Sequence, residues 1–385
     1  MRILHVITSF GLGGAEEIAI ELACQAAASN EVAVHSVRRT SPAESRFAED
    51  RKRKLKAAGV VWREGRAKSN KTAMLTAPFE LHRAIQDLAP DIVHSHTDIP
   101  DMCLSVVKRF RRFRLARTIH NTRLWSTHPW FGRMAERGFK DDLVIAINEP
   151  TRDAYHDLRR DFGLEPSSHL LTVPNGVASV RPEDYFSWAE CRSALGIDPE
   201  KFQMAFIGRL DQQKGFDTLL SAARRVPRDL ARLAQLHVIG DGAMRELAQT
   251  AHDDFVSFHG PLPNARRYLK AFDLIIMPSR FEGFGLVAAE ALVANVPVLI
   301  SDVAALRDVV PPGWPLKTLP DEPEMLAELI ANCIRGDGPH ADIPDGWTEH
   351  FRSETMSNGY LRAYADYVAA APQTGRSSGF GVHNA

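Results

Sequence analysis

Long apolar runs are missing from this sequence. No stretch of its 385 residues approaches the ~18 consecutive apolar residues of a membrane span. The apolar start, Met1-Arg2-Ile3-Leu4-His5-Val6-Ile7-Thr8, gives way at once to Gly11, Gly13 and Gly14, where a secretory signal would stay apolar up to a small-residue cleavage site. Cysteine is scarce: Cys24, Cys103, Cys191 and Cys333 are scattered without a C-x-x-C. A chain of this size needs no disulfides, so free thiols in a reducing cytosol are expected, and with them a cytoplasmic protein. Net charge is lacking as well. The 47 basic and 48 acidic side chains leave −1, which excludes a protein that coats nucleic acid.

Composition is otherwise that of an ordinary globular protein, 44% hydrophobic and 25% charged, and the length predicts two domains, at most three. The balanced charge hides an asymmetry. Residues 1–176 carry 27 Lys and Arg against 21 Asp and Glu, or +6, and the remainder is −7. Two halves of opposite sign fit two domains with different neighbours.

The first half alternates strands and helices. Strands are expected at Ile3–Ile7, Glu31–Val37, Asp91–His94, Arg117–His120 and Leu143–Ala146, with a helix over Ala15–Ala28 and a polar, loop-rich stretch from Arg38 to Lys71. After Leu170–Val173 and the turn signal Pro174-Asn175-Gly176-Val177 the pattern restarts. Strands are expected at Met204–Gly208, His237–Gly240, Phe255–Phe258, Leu274–Met277 and Val298–Ile300, with helices at Phe216–Arg225, Arg266–Ala271 and Leu286–Val293. The fold class is α/β. We divide the chain into 1–176, 177–350, a terminal helix over 351–371 that crosses back to the first domain, and a disordered tail over 372–385. Two doubly wound domains bind ligand between the carboxyl edges of their sheets, so the chemistry belongs in loops that follow strands.

Three such loops stand out. Gly11-Leu12-Gly13-Gly14-Ala15-Glu16 opens a helix directly after the first strand. It is neither a dinucleotide fingerprint, since Glu16 stands where a third glycine is needed, nor a P-loop, since no Gly-Lys-Ser/Thr follows. A tight turn and a phosphate-approaching backbone both remain open there. Gly208-Arg209-Leu210-Asp211-Gln212-Gln213-Lys214-Gly215 places a planar guanidinium and a compact ammonium where both can converge on one diphosphate. Pro278-Ser279-Arg280-Phe281-Glu282-Gly283-Phe284-Gly285-Leu286-Val287-Ala288-Ala289-Glu290 puts one carboxylate in a glycine-rich loop and another inside an apolar helix. There Glu290 is costly unless it finds partners such as ribose hydroxyls.

Glu282 and Glu290 form E-x7-E. With Gly208-Arg209…Lys214-Gly215, Val173-Pro174-Asn175-Gly176-Val177 and Gly240-Asp241-Gly242 they resemble the retaining glycosyltransferases of family 4, along nearly the whole chain. The resemblance implies the GT-B fold, two Rossmann-like doubly wound domains facing across a cleft. It implies transfer of a hexose-type sugar from a nucleotide-diphosphate sugar, a UDP-sugar before a GDP-sugar, to a glycan or lipid-linked acceptor. Arg209 and Lys214 would hold the donor diphosphate, Glu290 the ribose and Glu282 the sugar hydroxyls. Phe284, Gly285 and Leu286 would help with backbone groups, Gly13 and Gly14 would approach the diphosphate from the first domain, and His120 would face the sugar. No cofactor is implied. The sequence has no Asp-x-Asp, the usual metal-binding pair of the other common glycosyltransferase fold, so no metal is expected.

His94-Ser95-His96 is expected to send its two histidines to opposite faces of a strand, one lining the cleft and one structural. Lys108-Arg109-Phe110-Arg111-Arg112-Phe113-Arg114-Leu115-Ala116-Arg117 holds six cations in ten residues and, with Arg51-Lys52-Arg53-Lys54, makes the first domain positive. Lys108, Arg109, Arg111, Arg112 and Arg114 fit either an anionic membrane surface at the inner face of the plasma membrane or a solvated helix face. Trp125 and Trp130, in Leu124-Trp125-Ser126-Thr127-His128-Pro129-Trp130-Phe131, fit a sugar-stacking wall, a membrane contact or a packed loop cluster. Two other functions stay open: a nucleotide-sugar epimerase of the same fold, which needs no acceptor, and a non-catalytic membrane-surface module.

Overall fold

The computed structural model describes residues 1–126, 129–178, 183 and 185–370. The tail expected over 372–385 lies outside them, as do Thr127 and His128 of the aromatic loop. Among the described residues thirteen parallel strands form two sheets. The first holds β1 (Arg2–Ile7), β2 (Glu31–Arg38), β3 (Val61–Ala67), β4 (Ile92–Ser95), β5 (Leu115–Ile119), β6 (Leu143–Ala146) and β7 (Leu170–Thr172), in the order β3-β2-β1-β4-β5-β6-β7. The second holds β8 (Phe202–Ile207), β9 (Ala234–Ile239), β10 (Val256–Gly260), β11 (Leu274–Met277), β12 (Val298–Ser301) and β13 (Lys317–Thr318), in the order β10-β9-β8-β11-β12-β13. In each sheet the order reverses beside its first strand. A doubly wound sheet binds ligands in the crevice at that reversal, so the loops after β1, β4, β8 and β11 are the ones positioned to do so.

Both faces of the first sheet are covered, which is why its strands read as continuous apolar runs. Along β1, Ile3 and Ile7 enter a core with the helices Gly14–Ala26 and Ser353–Ala370, while Leu4 and Val6 enter the opposite core with the helices Asn70–Leu88 and Asp98–Val107. The C-terminal helix therefore belongs to the packing of the N-terminal sheet: Met356, Tyr360, Ala363 and Tyr364 are all buried there. The chain crosses between the sheets twice at one place, where the Val177 amide donates to the Phe351 carbonyl (2.7 Å).

The loop-rich expectation for Arg38–Lys71 is corrected. That stretch contains the helix Ser45–Ala57 and the edge strand β3. The helix buries only Ala48, Arg51 and Leu55, one of them charged, and most of β3 stays accessible to solvent. Neither element carries enough apolar periodicity to register in sequence.

Candidate functional site

The loops at the two reversals line one interdomain cavity of about 490 Å³. From the first domain come Gly13, Gly14 and His120; from the second come Arg209, Lys214, Glu282, Phe284, Gly285, Leu286 and Glu290. Every catalytic and donor-binding residue expected from sequence thus lies on one cavity. The residues expected at a membrane surface do not.

Two helix N-termini meet across this cavity. A Cβ built on Gly14, which opens the first helix, would sit 3.1 Å from Cδ1 of Leu286, which opens the helix Leu286–Val293. The amides of Leu286 and Val287 have no acceptor among the described residues. Gly285, the N-cap, takes φ 97°, a left-handed conformation that glycine enters without strain. Paired helix N-termini concentrate partial positive charge and free N–H groups, the properties of an anion site.

The charged side chains surround that point. Lys214 Nζ donates to Glu282 Oε1 (2.6 Å), and Ser279 Oγ donates to the same oxygen (2.8 Å). Glu282 is buried, yet its Oε2 has no partner among the described residues. Arg209 is half exposed, with its guanidinium on Asp211 (2.6 Å) and Gln213. Glu290 is half-buried and has no side-chain hydrogen bond among the described residues. Burial pushes its pKa up to about 7; the charge of Glu17 adds to this, and Arg266 and Lys54 oppose it.

The domains touch at the same place. A Cβ on Gly283 would lie 1.8 Å from the backbone oxygen of His120. Asn148 Nδ2 donates to the Gly283 carbonyl (2.7 Å), and Thr122 Oγ1 donates to that of Glu282 (3.5 Å).

Sequence reasoning missed Arg51. Its guanidinium donates to the carbonyls of Gly11 and Gly13 and to Glu17, tying the glycine loop to the helix Ser45–Ala57. Arg51, Lys54 and Arg266 together outweigh burial and hold the Glu17 carboxyl at about 2. The signal was present as the run Arg51–Lys54, but its direction was not.

The expectation that His94 and His96 face apart is also corrected. Residues two apart along a strand share a face, and the two rings lie 4.0 Å apart, with His5 beside both. His5 is the register partner of His94 across the β1–β4 pair. The basic stretch is divided. Arg117 is buried between Asp101 (2.7 Å) and Glu136 (2.6 Å), and Lys108 is tied to Asp142. Arg111 and Arg114 are half-buried; Arg109 and Arg112 are exposed. The tryptophans divide likewise. Trp125 is packed, donating from Nε1 to Glu136 (3.0 Å), whereas Trp130 is 71% exposed. Trp130, Lys108, Arg109, Arg133 and Arg137 line a separate cavity of about 450 Å³ on the first domain. No described helix is long and apolar enough to cross a membrane.

Comparison with known proteins fits this geometry. A family described as Glycosyltransferase Family 4 matches residues 12–181, and one described as Glycosyl transferases group 1 matches residues 201–335. The D-inositol 3-phosphate glycosyltransferase of Rhodococcus opacus is 29% identical over 63% of this chain and 61% of its own length. The lipopolysaccharide core biosynthesis mannosyltransferase LpsB of Rhizobium meliloti is 32% identical over 45% of this chain and 48% of its own. The chain thus spans about half to three-fifths of these two relatives. Among solved structures, Anabaena HepE in complex with UDP and glucose superposes with a TM-score of 0.74 at 19% identity, covering 95% of this chain and 99% of that one. Sucrose-phosphate synthase from Thermosynechococcus elongatus gives 0.72 at 19%, covering 96% and 100%. At such identities these two likenesses establish the fold.

Proposed function

The chain belongs to glycosyltransferase family 4 and has the GT-B fold, and on that premise we propose that it moves a hexose-type sugar, with retention, from a nucleotide-diphosphate sugar to a glycan or lipid-linked acceptor. We favour a UDP-sugar, with a GDP-sugar as the alternative. The preference is supported by structural neighbours bound to UDP or UDP-glucose. The acceptor class is supported by relatives named for lipopolysaccharide core and teichuronic acid biosynthesis.

The observation that carries the reading is the convergence of Arg209, Lys214, Glu282 and Glu290 on a cavity closed by two helix N-termini. The diphosphate lies between those N-termini. Lys214 keeps Glu282 with one N–H and has two more for phosphate oxygens. Arg209 leaves Asp211 and Gln213 for the diphosphate. Glu290 accepts ribose hydroxyls, and the open Oε2 of Glu282 accepts a sugar hydroxyl. The bond from the sugar C1 to the phosphate oxygen breaks, and a bond from C1 to the acceptor oxygen forms on the same face. The acceptor proton passes to the departing phosphate oxygen. Fixed cations and helix dipoles aimed at charge that develops on the leaving group supply the acceleration, with no metal. The cation-lined cavity beside Trp130 faces the anionic membrane that presents the acceptor.

Thermal unfolding with UDP, GDP and ADP, each with a chelator present, tests this. At ~100-fold its dissociation constant the right diphosphate stabilises the fold by ~2.7 kcal/mol. Lys214→Ala or Glu290→Ala abolishes transfer and leaves the unliganded fold intact. Near-wild-type transfer in both variants, or stabilisation only when divalent metal is added, refutes the assignment.

A further inference from the structure

A chain of histidines runs from beneath the first sheet's covering helices into the cleft. His5 Nδ1 meets His96 Nε2 at 3.0 Å, and His96 Nδ1 meets His120 Nε2 at 3.3 Å. His120 lines the cleft, and with Nε2 engaged, Nδ1 is its only ring nitrogen left for a ligand. At the buried end, His5 Nε2 has no partner among the described residues. Beside the chain, both nitrogens of His94 are taken, Nδ1 by the Tyr364 hydroxyl (2.6 Å) and Nε2 by Thr118 Oγ1 (2.8 Å). His5, His94 and His96 each offer a nitrogen within 4.8 Å of the others. Hydrogen bonding already uses every nitrogen of the three except His5 Nε2, so the cluster reads as a network rather than a metal centre.

All three chain members are neutral. Burial depresses His5 and His120 to about 3, and burial together with the neighbouring histidines takes His96 well below its ordinary value. A neutral imidazole carries one ring proton, so each contact has one donor and one acceptor. The chain then has two possible directions. In the inward one, His120 Nε2–H donates to His96, His96 Nε2–H donates to His5, and His5 is left with its proton on Nε2, a buried N–H with nothing to bond. In the outward one, His5 Nδ1–H donates to His96 Nε2 and His96 Nδ1–H donates to His120 Nε2. What is stranded there is only a lone pair on His5. Among backbone groups an orphaned buried N–H is rarer than an under-satisfied acceptor, and the same preference applied to His5 selects the outward direction.

We propose that His96 is a positioning residue that fixes the His120 tautomer, so that His120 presents an Nδ1–H donor to oxygen atoms of the bound sugar or acceptor. This rests on the transferase reading above. The tautomer has a chemical consequence. Nδ1 already carries its proton, so it cannot take the acceptor's, and the leaving phosphate oxygen remains the group that does.

The test begins with the tautomer itself. In the full-length protein labelled with 15N-histidine, long-range 15N–1H spectra distinguish the two tautomers, and His120 is assigned as the ring lost in His120→Asn. The expected pattern is a protonated Nδ1 and an unprotonated Nε2, the reverse of the form free histidine prefers. A protonated Nε2 overturns the proposal without any variant. His96→Asn keeps an N–H donor near the place of Nδ1 and should preserve the pattern. His96→Leu removes it and should let His120 revert, with kcat/KM for transfer falling at least about fivefold, the effect of one neutral hydrogen bond. An unchanged His120 pattern in His96→Leu, or reversion without loss of transfer, overturns the positioning role. Absence of transfer by the wild-type protein with any donor refutes the transferase reading instead, and the spectrum still decides the tautomer.

Discussion

Gly283→Ala is the sharpest perturbation the structure offers. Gly283 does not occupy the left-handed region, so alanine is opposed by contact and not by backbone torsion. The contact is severe: the new Cβ would stand 1.8 Å from the His120 carbonyl oxygen, and ordinary van der Waals contact begins at 3.4 Å. The loop must retreat by about 1.6 Å, stretching the Asn148 and Thr122 hydrogen bonds that join the domains. Arg209, Lys214 and Glu290 stay together on the second domain, so UDP affinity should fall only by what the first helix's N-terminus contributes, about two- to fivefold. What moves is the second-domain half of the site relative to His120 and the glycine loop. A misplacement of ~1 Å can cost ~100-fold in rate, or ~2.7 kcal/mol of transition-state stabilisation. We expect kcat/KM to fall by at least that factor while the melting temperature of the unliganded protein is nearly unchanged. Transfer near the wild-type rate would refute the argument, because the domains would then not need this approach. So would a parallel loss of UDP affinity, which would place the damage within the second domain.

Four other outcomes are expected. Glu290 holds its proton more tightly when folded, with a pKa of about 7 against an ordinary 4.5. Its contribution therefore erodes stability as pH rises through that window, by at most about 3 kcal/mol, and Glu290→Gln should melt higher than wild type at pH 8 but not at pH 5. Ribose hydroxyls favour the ionised form, so calorimetry should find UDP binding tightening from pH 6 to 8 with proton release, and in Glu290→Gln both effects reduced to the part that UDP's own terminal phosphate supplies, with its second pKa of about 6. Arg117→Met leaves Asp101 and Glu136 buried without their main cation and should destabilise the protein by ~3–5 kcal/mol in thermal or urea unfolding. Arg133→Glu with Arg137→Glu should abolish flotation with phosphatidylglycerol vesicles at low salt; equal flotation with neutral vesicles would remove the charge argument.

The second-domain half of the site was legible because its residues are consecutive in loops that follow strands. Arg209 to Lys214 and Glu282 to Glu290 arrive with their spacing already set, and the strand β11 and the helix Leu286–Val293 match their expected bounds. The histidine chain was not legible. Its members stand at positions 5, 96 and 120 and meet only because β1, β4 and β5 are lateral neighbours, and the order of strands in a sheet leaves no local trace in sequence. Arg51 and Arg117 were hidden for a related reason. Both sit in basic runs, and composition cannot distinguish the cation that turns inward to a carboxylate from its solvated neighbours.

The C-terminal helix has a consequence for how the chain is made. Met356, Tyr360, Ala363 and Tyr364 complete a core that begins at Ile3, and Tyr364 and Tyr360 supply partners for His94 and Thr118. On the ribosome, β7 is finished about 180 residues before that helix appears. At ~5–20 residues per second the wait is about 10–40 s. Through that interval the nascent first sheet has an uncovered apolar groove with His94 and Thr118 exposed along its floor. The second sheet must emerge, and can fold, while the first is still incomplete. The helix that closes the first domain is therefore synthesised only after the whole second sheet, and a message truncated before residue 353 yields a chain whose N-terminal half remains a target for chaperones.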